Sequence, residues 1–208
     1  MIYYEVIEKR KNVDNVYEIK IANFSVKPKA GQYVSLILPS KAEIPLGVGD
    51  YDEDNNELRL YVESEKLANE IGKRVILKGP LGKPLDFTNV RIIVGIAYGK
   101  LYHDLLYPLK VAYRSKIETF AKCIDCKLNY EEPKNIEDAD LILVSAPLQL
   151  LYELKIPGEK TLVYNRWVKM NCNLGVCGLC EVKGKLTCID GPFMRFDDLV
   201  DYGKGVLK

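Results

Sequence analysis

The chain has 208 residues, with 30 basic against 29 acidic side chains and a formal net charge of +1. No long run of one sign is present, which argues against an electrostatic surface for nucleic acid. Met1–Arg10 lacks the apolar core of a signal peptide, and the longest apolar stretch, around Ile92–Tyr98, is too short to span a bilayer; a cytoplasmic protein with no membrane span is expected.

The first segment, residues 1–88, reads as β. Tyr3–Lys9 and Val16–Ala22 are short runs rich in β-branched and aromatic residues, separated by Asn12-Val13-Asp14-Asn15. A turn at Pro28–Gln32 precedes a strand at Tyr33–Leu38. A further strand, Leu58–Val62, follows the turn-rich stretch Asp52–Asn56. Glu65–Ile71 predicts a short helix ended by Gly72, and Val75–Lys78 a strand closed by Gly79-Pro80-Leu81-Gly82. Several short strands at close spacing favour a small antiparallel barrel.

The rhythm changes in residues 89–166. Apolar strands at Arg91–Ile96, Leu109–Tyr113, Leu141–Ser145 and Thr161–Tyr164 alternate with helical stretches at Lys100–Leu106, Lys116–Lys122 and Leu148–Leu154. Alternation of this kind is the signature of βα units and a parallel sheet. The segment is short for a doubly wound domain, and it contains no G-x-G-x-x-G.

Residues 167–208 carry Cys172, Cys177, Cys180 and Cys188, spaced C-x4-C-x2-C-x7-C. The fourth cysteine follows an expected hairpin, Glu181–Thr187, turning at Lys183-Gly184. This is the plant-type ligand pattern for a [2Fe–2S] cluster. Gly175 and Gly178 remove the Cβ atoms that would keep backbone N–H groups from the sulfurs, and Leu174, Val176 and Leu179 supply an apolar skirt. Two other readings stay open: a zinc site, although only Cys177 and Cys180 have the spacing of a knuckle, and disulfides. A second pair, Cys123-Ile124-Asp125-Cys126, reads as a structural pair, half a metal site or a redox dithiol.

A barrel, a nucleotide-fold half and a four-cysteine segment in this order resemble the ferredoxin–NADP reductase-like superfamily with a C-terminal [2Fe–2S] module. Within it, the chain resembles the electron transfer subunits of dihydroorotate dehydrogenase. Gly31-Gln32-Tyr33-Val34 matches the family's PGQF/Y strand, and Ile44-Pro45-Leu46-Gly47-Val48 falls where the family has its Arg-Pro-x-Ser flavin motif. Leu60-Tyr61-Val62-Glu63 matches the next flavin-contacting strand, Gly79-Pro80-Leu81-Gly82 the GPLG loop, and Cys188 with Asp190-Gly191-Pro192 the C-x-DGP ending. The resemblance implies FAD on the barrel, held by Pro45, Leu46, Gly47, Val48, Tyr61, Val62, Glu63 and Ser64. It implies a [2Fe–2S] cluster on Cys172, Cys177, Cys180 and Cys188. It also implies an FMN-containing catalytic subunit as partner, in a heterotetramer serving pyrimidine biosynthesis. No nucleophile, general base or catalytic dyad is visible, so the substrate chemistry is expected on the partner.

The departures concern charge and glycine. Ile44 and Gly47 stand where the family has Arg and Ser, and the Gly-Thr pair that usually receives the FAD pyrophosphate is missing. The glycine-rich loop is reduced to Gly95-Ile96-Ala97-Tyr98-Gly99, and Ser145-Ala146-Pro147 replaces the family's Cys-Gly-Pro, so use of NAD is doubtful. A flavin reductase that uses NAD(P)H without a catalytic subunit and a zinc-holding module without redox function are the alternative readings. Tyr33, Tyr51 and Tyr61 are candidates to stack on a flavin, Tyr61 foremost. His103, the single histidine, is expected on a surface or helix face, and Lys73, Arg74 and Lys78 on a solvated face. Phe193 and Phe196 are expected to extend the apolar rim.

Overall fold

The computed structural model describes residues 3–206. Six strands close into an antiparallel barrel: β1 (Tyr3–Lys11), β2 (Tyr17–Ala22), β3 (Tyr33–Leu38), β4 (Ala42–Asp52), β5 (Glu57–Val62) and β6 (Arg74–Leu81), in the order β1-β2-β5-β4-β3-β6. A short helix, α1 (Glu65–Glu70), lies between β5 and β6, with the Ser64 hydroxyl capping its first turn. The alternation in β5 shows why the barrel forms. Leu58, Leu60 and Val62 are buried in its core with Ile19, Ile21 and Leu36, while Arg59 and Tyr61 turn outward. Strand β4 was not expected from the sequence, because its Pro45, Gly47 and Gly49 mask the β pattern.

The second layer is an open sheet built on β7 (Ile92–Tyr98), β8 (Glu118–Ile124), β9 (Leu141–Ser145) and β10 (Thr161–Tyr164), all parallel. Helix α2 (His103–Arg114) crosses from β7 to β8, and a single turn, α3 (Leu148–Leu151), follows β9. Leu109–Tyr113 is therefore the second half of α2 and not a strand, and Lys116–Lys122 lies largely in β8 and not in a helix. Pro108 reads as a breaker, yet Leu105, Leu109 and Ala112 form one buried stripe straight through it. The wholly buried β9 reflects a sheet covered on both faces.

The third segment folds back onto these layers. The hairpin β11 (Glu181–Val182) and β12 (Lys185–Leu186) turns at Lys183-Gly184 as expected, and leads into a short helix, α4 (Thr187–Asp190). Strand β13 (Phe193–Arg195) then adds antiparallel to β10, giving the sheet order β13-β10-β9-β7-β8, and α5 (Phe196–Val206) ends the described chain. Cys180, Val182, Cys188 and Met194 pack with Val94, Ile96 and Tyr33 in one shared core. Phe193 is buried and Phe196 packs against that core, so neither extends an exposed rim. Among the described residues no helix is long and apolar enough to cross a membrane.

Gly95 lies inside β7 and belongs to no loop. A Cβ there would sit 2.7 Å from Leu109 Cδ1 and 3.4 Å from Leu105 Cδ1, so its small size seats α2 on the sheet. Gly95→Val should destabilise the chain by about 1–3 kcal/mol through overpacking, measured as a lowered midpoint in chemical denaturation.

Candidate functional site

A cavity of about 290 Å³ opens between barrel and sheet. Pro45, Leu46 and Gly47 of β4 form one wall, with Tyr61 and Val62 of β5 and the following Glu63 and Ser64. The facing wall is His103 and Asp104 of α2 and the stretch Tyr164–Arg166 that leaves β10. Seven of the eight residues expected at a flavin are thus brought together. Val48 is not among them: it pairs with Leu60 and points into the barrel core. Tyr33 and Tyr51 are also core residues, and only Tyr61 of the three candidate tyrosines reaches the cavity.

Sequence reasoning missed the charged corner of this cavity. Arg166 grips Asp104 with two nitrogens, Nε to Oδ2 at 2.6 Å and Nη2 to Oδ1 at 2.8 Å, and its Nη1 reaches Glu63 Oε1 at 2.5 Å. The Ser145 hydroxyl donates to Asp104 Oδ2 at 2.6 Å. Burial works against the Arg166 charge, but Asp104 and Glu63 outweigh it and hold the guanidinium firmly protonated. The network sits at the C-terminal ends of β7 and β9, on either side of which the chain continues in opposite directions; open α/β sheets take their ligands at such a crevice. The one local signal is a basic residue two positions past the last parallel strand.

His103 is buried, not on a surface. Its ring stacks on Tyr102 and lies tilted against Tyr61, with centroids 4.0 and 4.1 Å apart. Its Nδ1 faces the Lys100 carbonyl at 2.7 Å and its Nε2 the Asn12 amide at 3.3 Å, a pattern that suits the neutral ring with the proton on Nδ1. Desolvation lowers its pKa. Beyond Tyr61 a second cavity, about 630 Å³, is bounded by Tyr102, Tyr113, Lys110 and the loop Lys127–Tyr130. A disulfide between Cys123 and Cys126 (Cα–Cα 5.2 Å) fixes the start of that loop, so the second C-x2-C is an oxidised pair in this structure.

The four remaining cysteines are free thiols and lie in two pairs. Cys180 and Cys188 are buried with their sulfurs 3.3 Å apart, and Cys172 is hydrogen-bonded to Cys177, which is exposed. Backbone N–H groups of Cys177, Leu174 and Val176 converge on the Cys172 sulfur and push its pKa down to about 6. Burial, with Cys180 alongside, pushes Cys188 up to about 11, while the N–H of Gly175 favours its thiolate. Among the described residues no group of three or more possible ligands is gathered as a ready metal site. The donor set nevertheless suits a [2Fe–2S] cluster: four thiols and a turn of N–H groups aimed at sulfur, made possible by Gly175 and Gly178 at φ of 75° and 71°. Leu174, Val176 and Leu179 are 56, 82 and 61% exposed around it.

A closed antiparallel barrel packed on a parallel sheet, with a cavity at the junction, is the fold of ferredoxin-reductase-like flavoprotein reductases. The chain superposes on the NADH-dependent reduced ferredoxin–NADP oxidoreductase, described for flavin-based electron bifurcation, with a TM-score of 0.71 at 21% identity, over 95% of this chain and 90% of that one. It superposes on phthalate dioxygenase reductase, described as carrying electrons from pyridine nucleotides to [2Fe–2S], with a TM-score of 0.57 at 9% identity, over 79% and 68%. In sequence the chain is similar to the probable dihydroorotate dehydrogenase B (NAD(+)), electron transfer subunit, of Thermoplasma volcanium. They are 23% identical over 229 aligned positions, 94% of this chain and 88% of the relative. The resemblance carried by the cysteine segment and the barrel motifs therefore extends over nearly the whole chain. No family model matches it.

Replacing Arg166 by Met would strand the buried Asp104 without its cation, at a cost of about 3 kcal/mol; Arg166→Lys should recover part of this in guanidinium denaturation. The His103 ring gives a pH signature. The unfolded imidazole titrates near about 6.5 and the buried one lower, so the unfolded chain binds the proton first as the pH falls. Stability present above about pH 6.5 should decline below it. In His103→Gln that decline should be smaller, as read from melting temperatures across pH.

Proposed function

We propose that the chain is the electron transfer subunit of a dihydroorotate dehydrogenase in pyrimidine biosynthesis. It would relay electrons between an FMN-bearing catalytic subunit and an external acceptor through FAD and a [2Fe–2S] cluster. The observation that carries this reading is a shared floor: β3 and β4 reach the cavity at Pro45–Gly47 and the cysteine loop at Tyr33, Ser35 and Glu43. The similarity to an electron transfer subunit over almost the full length supports it.

When bound, FAD exchanges one or two electrons and a [2Fe–2S] centre one at a time, so together they join two-electron chemistry to a one-electron chain. The protein's own part is position. Residues 1–88 act as the flavin barrel, 89–166 as a reduced nucleotide-binding-like layer and 167–208 as the cluster segment. Pro45, Leu46, Gly47, Val62, Glu63 and Ser64 hold the flavin, Val48 backs them from the core, and Tyr61 divides the two cavities. The second cavity, against α2 and the loop after β8, gives the adenosine half of FAD room that the first is too small to provide. Cys172, Cys177, Cys180 and Cys188 hold the cluster. The exposed Leu174, Val176 and Leu179 form a rim for the catalytic subunit, most simply in a heterotetramer. The acceptor in this reading is not a nicotinamide dinucleotide. At the crevice of β7 and β9, Arg166, Asp104 and Ser145 already satisfy one another through an ion pair and a hydrogen bond, and no glycine-rich turn stands there for a pyrophosphate.

Co-expressed with the catalytic subunit, the chain should purify as a complex with FAD and with iron and acid-labile sulfide in equal amounts. Its reduced electron paramagnetic resonance (EPR) signal should be altered by Cys177→Ser and untouched by Cys123→Ser. Mixed anaerobically, dihydroorotate should bleach the flavin band and micromolar NADH should not. Zinc in place of iron, FMN alone, or a chain that stays monomeric beside its co-expressed partner would overturn the reading. Rapid bleaching by NADH would shift it to a pyridine-nucleotide reductase.

A further inference from the structure

The cysteine loop does not rest on apolar surface alone. Beneath it the barrel presents Tyr33 and Ser35 from β3, Glu43 from β4 and Lys78 from β6. Lys78, read from the sequence as part of a solvated face, is partly buried: its ammonium donates to the Cys172 carbonyl at 2.9 Å and to Glu43 Oε2 at 2.5 Å. The Tyr33 hydroxyl donates to the Cys188 carbonyl at 3.1 Å and lies 3.4 Å from Asn173 Oδ1. Asn173 is itself buried in the loop with φ 53°, and its amide donates to Ser35 Oγ at 3.1 Å and Glu43 Oε2 at 3.4 Å.

Cover for the loop needs none of this. Buried polar groups cost stability unless each is hydrogen-bonded, and leucines would fill the same space more cheaply. What the polar seat adds is direction and charge. The carbonyls of the first and last of the four cysteines are both held from the barrel side. The Cys172 peptide is planar, so holding its carbonyl sets the angle from which the loop turns its N–H groups onto the Cys172 sulfur. The seat also brings one ammonium and one carboxylate against the loop at Cys172 and Asn173, a loop whose thiols are anionic when they bind metal.

We propose that Lys78, Glu43, Asn173 and Tyr33 are positioning residues for the cluster, fixing its loop from the barrel side, and that the Lys78–Glu43 pair sets its reduction potential. This rests on the reading of Cys172, Cys177, Cys180 and Cys188 as cluster ligands. A cation near an anionic redox centre favours the reduced form and a carboxylate the oxidised form. The two groups therefore act with opposite sign, and removing one leaves the other uncompensated.

The test is a redox titration of the whole complex followed by EPR. Lys78→Met should lower the midpoint potential and Glu43→Gln should raise it, each by up to about tenfold in the reduction equilibrium, about 59 mV for one electron. The double variant should fall between them, Lys78→Arg should return to the wild-type value, and Tyr33→Phe should shift the g-values while keeping the signal. A role confined to stability would not give shifts of opposite sign. If Lys78→Met fails to retain the cluster, the direction of the Glu43→Gln shift decides. Unchanged potentials and superimposable spectra overturn the proposal while leaving the cluster assignment intact, and so do shifts of the same sign. A wild-type complex without an iron signal overturns both.

Discussion

The structure depends on one antiparallel pairing, β3 with β4. Its register sets Tyr33 opposite Gly47, Ser35 opposite Pro45 and Ile37 opposite Glu43. Side chains alternate between the faces of a strand, and partners directly opposite share a face. Tyr33, Ser35, Glu43, Pro45 and Gly47 therefore all stand on the outer face of the ribbon, and a slip of one residue would turn a strand's set inward. Along that face Pro45 and Gly47 border the cavity while Tyr33, Ser35 and Glu43 reach the cysteine loop. Two sites far apart in the chain thus share one rigid ribbon, and their separation is fixed by strand geometry and not by a flexible connection.

The other layers close around that ribbon. Tyr107 of α2 packs in the barrel core and donates its hydroxyl to the Pro28 carbonyl at 2.7 Å. The GPLG loop and the DGP turn, two motifs distant in sequence, meet where the Lys83 amide donates to the Gly191 carbonyl at 2.7 Å. Asn165 donates its backbone amide to the Pro192 carbonyl at 2.8 Å and its side chain to Thr187 at 3.1 Å, tying the exit of β10 to the cysteine segment. Strand β13 completes the tie by joining the sheet. The cysteine segment is therefore held by both other layers.

Much of this was legible in the sequence. Cysteine spacing is local, so the loop and its hairpin could be read directly, and so could the period-two pattern of Leu58, Leu60 and Val62. What stayed hidden depends on contacts between distant elements. Asp104 at the start of a helix and Arg166 after a strand are unremarkable alone, and only the sheet order brings them together. Lys78 looked solvated because its neighbours Lys73 and Arg74 are charged, and nothing local shows that its head meets Glu43. Helix α2 was hidden in the opposite way. Its residues read as a helix at Lys100–Leu106 and a strand at Leu109–Tyr113, and only the apolar stripe that α2 buries against the sheet carries one helix through Pro108.

The Arg166 network has a consequence for how the chain responds to heat. It joins Glu63 of the barrel to Asp104 of the sheet layer through charge. The hydration of ions becomes less favourable on warming, so the desolvation penalty of such a joint shrinks as temperature rises, while the gain from apolar contacts levels off. The angle between barrel and sheet, and with it the shape of the cavity they enclose, is thus guarded by the kind of contact that weakens least when the rest of the molecule begins to loosen.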